Sequence, residues 1–308
     1  MEIAPHPLLK AATVAVVGRT NSGKSTLVNR LVGEKVSIVS PVEQTTRNRI
    51  RGILTEARGQ LVFLDTPGLH KAESELGTLM NRMARGAGEG SDLLLIIFDA
   101  SSPVQMEDEG WMARAAFSET PTFFILNKSD APSFNPMPFK AAWTRILTEK
   151  KSERKVPWLE ISADQGNGCD ALLEILFSYA IETPELLFPE EIVSDYPRKL
   201  SIADIIREKL IRHLFQEVPH ELGVRVDTLI ENPDNTWDIG VTLFVNRASQ
   251  KGMVIGNKGR TLRAMRRSAE PEIMAAYDLA GCTITPFVRV EPKWFKNHFI
   301  LKELGYKE

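Results

Sequence analysis

The sequence predicts an α/β protein in which a doubly wound, mostly parallel sheet is followed by a smaller α+β domain. Short apolar runs alternate with helix-length segments in the first part of the chain, as in a sheet covered by helices on both faces. Residues 183–197 contain three prolines and no clear period, which is typical of a connecting segment. We therefore predict a first domain over residues 1–183, a linker over 184–197 and a second domain over 198–308.

The elements of the first domain follow from its apolar runs. Each run is too short for a helix and is followed by polar residues, so we interpret it as a buried strand. The runs occupy residues 13–17, 60–64, 92–98, 121–126 and 156–161. Residues 51–55 predict a further strand, antiparallel at an edge of the sheet. Amphipathic segments near 105–117, 138–149 and 169–181 predict the covering helices.

The second domain shows the order α-β-β-α-α-β with a terminal helix. The predicted elements are a helix over 201–215, strands over 223–230, 237–245 and 283–290, and a last helix from about Lys293. Between the second and third strands a helix begins at Thr261, and we expect Pro271 to restart it because proline interrupts a helix interior.

Composition is that of a globular protein. Of the 308 residues, 43% are hydrophobic and 25% are charged, and no apolar run approaches the roughly 20 residues of a membrane span. We expect a cytoplasmic protein, although peripheral association with the inner face of the membrane would leave no such mark. Cys169 and Cys282 are far apart, so we expect no disulfide. The five histidines show no paired metal-ligand spacing.

Charge is distributed unevenly along the chain. Residues 1–196 carry 20 basic and 26 acidic side chains, whereas residues 197–308 carry 18 basic and 14 acidic ones. The C-terminal part is therefore net positive, although the whole chain has a formal charge of −2. This asymmetry predicts that the C-terminal part binds a polyanion.

Residues 18–25 form the first motif. They read Gly-Arg-Thr-Asn-Ser-Gly-Lys-Ser and fit G-x-x-x-x-G-K-S between a predicted strand and a helix-length segment. The glycines let backbone N–H groups surround a β-phosphate at the start of the helix. Lys24 is expected to reach the β- and γ-phosphates, and Ser25 a magnesium ion. An ordinary glycine-rich turn is the alternative, but the strand-and-helix context favours a nucleoside triphosphate site.

A second motif follows the next buried strand. Asp65-Thr66-Pro67-Gly68 places a carboxylate at the C-terminal end of that strand, where it can hold a magnesium-bound water. Gly68 can present its N–H to a γ-phosphate. The sequence is also a good turn by itself, but its position after a phosphate loop favours the site.

A third motif selects the base. Asn127-Lys128-Ser129-Asp130 follows another strand, and the carboxylate of Asp130 can accept two hydrogen bonds from the N1–H and 2-amino groups of guanine. Adenine offers neither donor, so this carboxylate would be buried unpaired against it. The motif therefore predicts GTP rather than ATP.

These blocks, in this order, resemble the translation-factor-like class of GTPases. Thr45-Thr46-Arg47 resembles the first switch of that class, which assigns Thr46, or alternatively Thr45, to magnesium when the γ-phosphate is present. A polar loop with incidental hydroxyls is the other interpretation. Ser162-Ala163 can add a backbone N–H to guanine O6, although this pair is too common to identify a site alone.

Two residues bear on the hydrolysis rate. Leu69 stands where small signalling GTPases place a glutamine that orients the attacking water, so we expect slow intrinsic hydrolysis. In the subclass with an apolar residue here, an asparagine of the phosphate loop often helps to hold a potassium ion. Asn21 matches that position, which makes potassium stimulation a hypothesis.

The C-terminal motif lies at residues 254–262. Val-Ile-Gly-Asn-Lys-Gly-Arg-Thr-Leu fits the V-I-G-x-x-G-x-x-L core of a KH module, whose glycines let a single-stranded nucleic-acid backbone approach the start of a helix. Residues 247–267 contain seven Lys or Arg and no acid. Basic helix faces and such turns are each common, but together with the element order they predict RNA binding.

A GTPase domain joined to a KH domain, with Gln-Thr-Thr-Arg at 44–47 and Leu-Gly-Tyr at 304–306, resembles the Era-like family of bacterial GTPases over essentially the whole chain. The resemblance implies a Ras-like P-loop fold followed by a type II KH domain, with GTP, GDP and Mg²⁺ as ligands. It also implies binding of single-stranded 16S ribosomal RNA, assistance in small (30S) ribosomal subunit assembly and peripheral membrane contact. Thr20 and Ser22 replace the family's usual Pro and Val without removing a phosphate-binding group.

These assignments define three sets of site residues. Lys24, Thr46 and Gly68 carry catalytic roles, and Ser25, Thr46 and Asp65 hold magnesium. The nucleotide-binding residues are Gly18, Arg19, Thr20, Asn21, Ser22, Gly23, Lys24, Ser25, Thr26, Asp65, Thr66, Pro67, Gly68, Leu69, Asn127, Lys128, Ser129, Asp130, Ser162 and Ala163. The RNA-binding residues are Ile255, Gly256, Asn257, Lys258, Gly259, Arg260 and Arg263.

Two other functions stay open. A membrane-surface or cell-cycle signalling GTPase would use its C-terminal domain to bind protein or lipid. An RNA-modifying enzyme could use GTP for timing, but no catalytic cysteine or cofactor site is recognisable beyond residue 197. The aromatic residues Trp294, Phe295 and Phe299 also have two interpretations, as base-stacking rings or as packing for the last helix.

Overall fold

The computed structural model describes residues 9–37, 50–68, 86, 90–214 and 218–306. These residues form two compact units, of which the first ends at Asp195 and the second begins at Tyr196. Each unit has its own sheet and its own hydrophobic core. The predicted fold class, a doubly wound sheet followed by a smaller α+β domain, is confirmed.

The first unit contains a seven-stranded sheet. Its strands are β1 (Leu9–Gly18), β2 (Ile50–Glu56), β3 (Gly59–Asp65), β4 (Leu93–Asp99), β5 (Thr122–Asn127), β6 (Trp158–Glu160) and β7 (Ile181–Thr183). They are ordered β2-β3-β1-β4-β5-β6, with β7 antiparallel to β1. The pairs β1–β3, β1–β4, β4–β5 and β5–β6 are parallel. The order reverses beside β1, so the crevice for a ligand lies at the carboxyl ends of β1 and β4.

In the described ranges of the first unit, helices cover both faces of this sheet. They are α1 (Lys24–Val32), α2 (Met106–Ala115), α3 (Met137–Lys150) and α4 (Cys169–Tyr179). One core forms with α1 and α4, and a second with α2 and α3. Because both faces are covered, β4 and β5 are buried at every position, which explains their continuous apolar sequence. In the described part of the chain, no helix is long and apolar enough to cross a membrane.

The chain after β7 runs along the edge formed by β2, which is antiparallel to β3 as predicted. The N–H of Ile53 donates to the carbonyl oxygen of Val193 at 2.8 Å. The side-chain amide of Gln60 bonds both backbone polar groups of Phe188, at 2.8 and 3.1 Å. Residues 184–195, which we predicted as part of a linker, therefore lie against the first unit.

The second unit contains a three-stranded sheet of β8 (Gly223–Glu231), β9 (Thr236–Val245) and β10 (Gly281–Val290). β9 is central, antiparallel to β8 and parallel to β10. The helices are α5 (Arg198–Ile211), α6 (Val218–Glu221), α7 (Ala248–Ile255), α8 (Arg260–Tyr277) and α9 (His298–Glu303). A hydrophobic core of this unit lies among the sheet, α5 and α8. The predicted strands and the helices at either end are present, but α6 and α7 were not predicted.

The prediction that Pro271 restarts a helix is wrong. α8 continues through Pro271 to Tyr277. Met265, Ala269 and Ile273 are buried on both sides of the proline, so packing holds the helix together across the missing hydrogen bond. The carbonyl group that loses its partner belongs to Arg267, whose side chain is exposed, and water can satisfy it there.

Candidate functional site

The phosphate loop joins β1 to α1 at the crevice where the strand order reverses. Gly18 and Gly23 have φ angles of 153° and 97°, which favour glycine. A Cβ atom on Gly18 would lie 2.3 Å from the carbonyl oxygen of Ile97, and one on Gly23 would lie 2.1 Å from Nδ2 of Asn127. Both positions therefore require glycine for steric as well as conformational reasons.

Lys24 is the first residue of α1 and is buried. Its ammonium group donates to the carbonyl oxygen of Arg19 at 2.7 Å. Burial lowers the pKa of Lys24 to about 8, and the nearby carboxyl group of Asp65 opposes this shift. A buried cation beside the N-terminus of a helix suits a phosphate, which supplies counter-charge to both.

Asp65 ends β3, and its side chain is fully buried. Burial raises the pKa of Asp65, while the hydroxyl of Ser25, the charge of Lys24 and the hydroxyl of Ser37 oppose that shift. Neither carboxylate oxygen accepts a hydrogen bond of ordinary geometry. This buried carboxylate, with the hydroxyl of Ser25 nearby, fits Mg²⁺, which binds oxygen ligands and compensates negative charge.

Gly68 lies against the phosphate loop. The hydroxyl of Thr66 donates to the carbonyl oxygen of Val16 at 2.9 Å, which anchors this segment to β1. A Cβ atom on Gly68 would lie 2.6 Å from the backbone nitrogen of Thr20 and 2.9 Å from Nζ of Lys24. The backbone of Gly68 is therefore close to the group expected to hold the γ-phosphate, and a side chain would separate them.

Asn127, the last residue of β5, connects two of the predicted motifs. Its Nδ2 donates to the carbonyl oxygen of Ser22 at 2.9 Å, and its Oδ1 accepts from the N–H of Ala163 at 2.9 Å. Both hydrogen bonds are buried. Arg30 of α1 also donates to the carbonyl oxygens of Ala163 and Asp164. The phosphate loop, the end of β5 and the loop after β6 thus form one structure.

Asp130 lies three residues beyond Asn127, and its side chain is exposed. The preceding residues are anchored, since the N–H of Ser129 donates to the carbonyl oxygen of Ile161 at 3.0 Å and the ammonium group of Lys128 lies 2.7 Å from the carboxylate of Asp99. Although burial opposes it, the hydrogen bond from Lys128 lowers the pKa of Asp99. The carboxylate of Asp130 is therefore accessible to a base, and the nucleotide itself must supply its burial.

Sequence reasoning missed two acidic residues that support these loops, Asp99 and Asp108. Asp108 in α2 is fully buried, and its carboxylate lies 3.6 Å from Nε of Arg19 in the phosphate loop. The guanidinium group of Arg19 also donates to the hydroxyl of Ser102 at 2.8 Å. Burial raises the pKa of Asp108. In the sequence, Asp99 follows a predicted strand, and that strand lies beside the point where the strand order reverses. No other feature of the sequence indicated a role for Asp99 or Asp108.

In the second unit, a G-x-x-G loop joins α7 to α8 through a short 3-10 turn over Asn257–Gly259. Gly256 has a φ of 72°, and a Cβ atom there would lie 2.3 Å from Oγ1 of Thr261. Gly259 has a φ of 76°, but a Cβ atom there would meet only Arg263, at 3.4 Å. Gly256 is therefore required by contact and conformation, and Gly259 by conformation.

The side chains around this loop present positive charge. Lys258, Arg260 and Arg263 are exposed, as is Asn257, whereas Ile255 is half-buried. Among the described residues these three cations form no ion pair, whereas Arg266 lies 2.8 Å from the carboxylate of Glu270. Three cations near a helix N-terminus are therefore available to phosphate groups.

The aromatic residues near the C-terminus are in different environments. Trp294 is fully buried, and its indole N–H donates to the carbonyl oxygen of Glu221 at 2.8 Å. Phe295 is half-buried and Phe299 is exposed. Of the two interpretations, packing therefore applies to Trp294.

Some predicted site residues lie outside the described part of the chain. These are Leu69 and the first-switch residues Gln44, Thr45, Thr46 and Arg47. Their assigned roles stay predictions.

Two family models match the chain. Residues 13–128 match the family described as 50S ribosome-binding GTPase, and residues 217–279 match the KH domain. The first match spans the phosphate loop and ends within the base-selecting motif. The second spans the G-x-x-G loop and all of α8.

Curated relatives match over nearly the full length. GTPase Era of Clostridium novyi (strain NT) is 35% identical over 301 residues, which cover 98% of this chain and 100% of the relative. GTPase Era of Rippkaea orientalis is 36% identical, covering 99% of this chain and 95% of the relative. Two solved structures share 30% identity and cover 97% of this chain. Era in complex with MgGDPNP and nucleotides 1506-1542 of 16S ribosomal RNA has a TM-score of 0.88, and a variant of Aquifex aeolicus Era bound to GDP.AlF4- has 0.87.

Proposed function

Since the chain belongs to the Era family of GTPases, we propose that it is a GTP-dependent switch that binds 16S ribosomal RNA through its KH domain and assists small (30S) subunit assembly. As a member of this family it is an enzyme that hydrolyses GTP to GDP and phosphate. To this activity the proposal adds the residues that bind the nucleotide, the surface that binds RNA and the coupling between nucleotide binding and RNA binding.

The hydrogen bonds of Asn127 carry the nucleotide part of the proposal. They hold the phosphate loop at Ser22 and the loop at Ala163, so one ligand can reach phosphate-binding and base-binding groups together. Asp130 accepts from the N1–H and 2-amino groups of guanine. The N–H groups of Ser162 and Ala163 donate to the carbonyl oxygen of Asn167 and to Oδ1 of Asn127, both at 2.9 Å, so the proposal assigns no hydrogen bond from them to guanine O6. GTP and GDP therefore fit better than adenine nucleotides.

The phosphates bind to backbone N–H groups of residues 18–25 and to Lys24. Ser25, Asp65 and, with γ-phosphate present, Thr46 would hold Mg²⁺, which neutralises charge on the phosphate oxygens when bound. We assign the N–H of Gly68 to the γ-phosphate, because a Cβ atom on this residue would lie 2.9 Å from Nζ of Lys24. Since Leu69 replaces the water-orienting glutamine, hydrolysis is slow, and Asn21 assists a potassium ion beside the phosphates. Equal turnover of GTP in potassium and in sodium would remove the potassium role.

Coupling begins at β2, which follows the segment containing Thr46. The hydrogen bond between Ile53 and Val193 ties β2 to residues 184–195, which lead to the KH domain. A displacement of β2 on loss of the γ-phosphate would therefore move that segment. By linkage, RNA must then change nucleotide affinity by the same factor as nucleotide changes RNA affinity.

The RNA role rests on the Gly256–Gly259 loop and its exposed cations. A relative of known structure holds nucleotides 1506-1542 of 16S ribosomal RNA, and the match to it covers 97% of this chain and 100% of the relative. We assign the backbone of a single-stranded segment to the loop and the start of α8, with Lys258, Arg260 and Arg263 on its phosphates.

Calorimetry with GDP, a nonhydrolysable GTP analogue and the corresponding ATP analogue tests the nucleotide assignment. We expect the guanine nucleotides to bind at least about a thousandfold more tightly than the adenine ones, and Asp130→Ala to remove most of this difference. Equal affinity for both bases would contradict the assignment.

RNA binding is tested with a labelled oligonucleotide of 16S nucleotides 1506-1542, the segment seen in the relative. Gly259→Asp should abolish its binding and leave GDP affinity unchanged. RNA affinity should differ between the GDP and GTP-analogue forms, and identical values would remove the coupling. Liposome binding without RNA binding would instead support a membrane-surface GTPase.

A further inference from the structure

Phe287, in the middle of β10, exposes 63% of its surface. Its strand neighbours Ile284 and Val288 are buried, whereas Thr285 and Arg289 are exposed like Phe287 itself. The phenyl ring therefore points away from the core. A single exposed ring is common on protein surfaces, so its surroundings decide whether it binds anything.

The ring lies next to the helix that leads into the G-x-x-G loop. Nζ of Lys251 in α7 is 5.9 Å from the centroid of the Phe287 ring. Lys251 precedes Gly256 by five residues, which is about 7.5 Å along a helix axis. The exposed ring is therefore near the loop that we assign to the RNA backbone, and a cation accompanies it.

The outer edge of β10 is unsuited to pairing with another strand. Among the described strands, β10 is an edge strand of its sheet, paired only with β9. The N–H of Ile284 donates to the carboxylate of Glu270 at 3.0 Å, and Pro286, two residues later on the same edge, has no N–H to donate. Proline and an occupied N–H both oppose strand addition. A protein strand is therefore a poor occupant of the surface around Phe287.

The charge nearby suits a polyanion with planar groups. Residues 247–267 contain seven Lys or Arg and no acid. Exposed aromatic rings beside cations bind unpaired bases by stacking, while the cations attract the phosphates. An unpaired nucleobase can stack on the ring of Phe287 and leave the ammonium group of Lys251 to a phosphate.

We infer that Phe287 is the stacking platform for one unpaired base of the RNA strand whose backbone binds at the Gly256–Gly259 loop. This inference rests on the proposed RNA-binding function. It adds a base contact to a site otherwise composed of backbone contacts and cations.

The test measures binding of the full chain to the labelled 1506-1542 oligonucleotide. We expect Phe287→Ala to weaken binding about five- to hundredfold, the range for loss of one stacked base. Phe287→Trp should keep near wild-type affinity because it keeps an aromatic face, whereas Phe287→Leu should resemble alanine. Ile230→Ala removes an exposed apolar side chain of β8, at the opposite edge of the same sheet, and should change nothing. Thermal unfolding of each variant shows whether the fold is retained.

Two further measurements separate stacking from other effects. Since the ring is uncharged, Phe287→Ala should leave the salt dependence of RNA binding unchanged, whereas Lys251→Ala should reduce it. Replacing single bases by abasic sites should identify one position whose loss weakens wild-type binding but does not further weaken Phe287→Ala.

The outcomes distinguish this inference from the function on which it rests. Unchanged affinity of folded Phe287→Ala, with binding still lost in Gly259→Asp, would overturn the stacking role and leave RNA binding intact. Wild-type affinity of Phe287→Leu would also overturn it, because an aliphatic side chain cannot stack as a ring does. Absence of binding by the wild-type chain would overturn the proposed function itself.

Discussion

The nucleotide site and the RNA surface are composed of opposite kinds of groups. The nucleotide site contains buried polar groups held by hydrogen bonds between distant segments, such as Asn127 with Ser22. The RNA surface contains exposed cations on one loop and the start of one helix, with Lys258 and Arg260 among them. Substitutions in the first should change stability and affinity together, whereas substitutions in the second should change affinity and its salt dependence alone.

The largest effect is expected from Gly23→Ala in the phosphate loop. Left-handed strain and the clash with Asn127 should together lower the free energy of unfolding by about 2–5 kcal/mol and weaken GDP binding. Gly33→Ala is the matched control, because Gly33 also has a positive φ, 84°, but a Cβ there meets nothing within 4 Å. It should cost only about 1–2 kcal/mol and keep GDP affinity. Urea unfolding and calorimetry measure both, and equal effects of the two variants would contradict the steric role of Gly23.

Asn127→Ala should have the next largest effect. It leaves the carbonyl oxygen of Ser22 and the N–H of Ala163 buried without their partner, which should cost about 1–3 kcal/mol of unfolding free energy and weaken GDP binding. Asn135→Ala is its control, since Asn135 is exposed and its side chain accepts from the N–H of Met137. If Asn127→Ala lowers the unfolding free energy and GDP affinity no more than this control does, the hydrogen bonds of Asn127 do not hold the site together.

Asp99→Asn should cost about 1 kcal/mol at pH 7, since its partner Lys128 is partly exposed. The folded-state pKa of Asp99 lies below its ordinary value of 3.8, so its stabilising contribution is complete above that pH and is lost as pH falls through the folded-state pKa. The difference in unfolding free energy between wild type and variant should therefore shrink in acid. Urea midpoints at neutral and acidic pH measure it, and a constant difference would refute the ionic contribution.

Lys258→Ala should have the smallest effect and no effect on stability. Loss of one phosphate contact should reduce the salt slope of single-stranded RNA binding by about 0.7. Lys302→Ala, an exposed lysine of α9, should leave the slope unchanged. RNA titrations at several salt concentrations test this. A drop in thermal stability of Lys258→Ala would break the contrast between the two sites.

Much of the fold and of both sites could be predicted from the sequence, because the signals are local. The apolar runs of β3, β4 and β5 follow from burial on both faces, and the phosphate loop and G-x-x-G loop follow from glycines at fixed spacing. β7 was missed because three residues carry no usable period. The continuation of α8 through Pro271 was missed because packing on both sides outweighs the local effect of proline.

By itself the sequence determined the class of the protein, the order of most of its elements and the motifs on its loops, since each depends on residues near one another in the chain. Only the tertiary structure decided which of those loops share a site. Asn127 reaches Ser22 across 105 residues, Arg19 pairs with a carboxylate of α2, and Phe287 stands beside Lys251 at a sheet edge. Such contacts depend on strand order and register, which no local pattern specifies, because they are set by how the whole core packs.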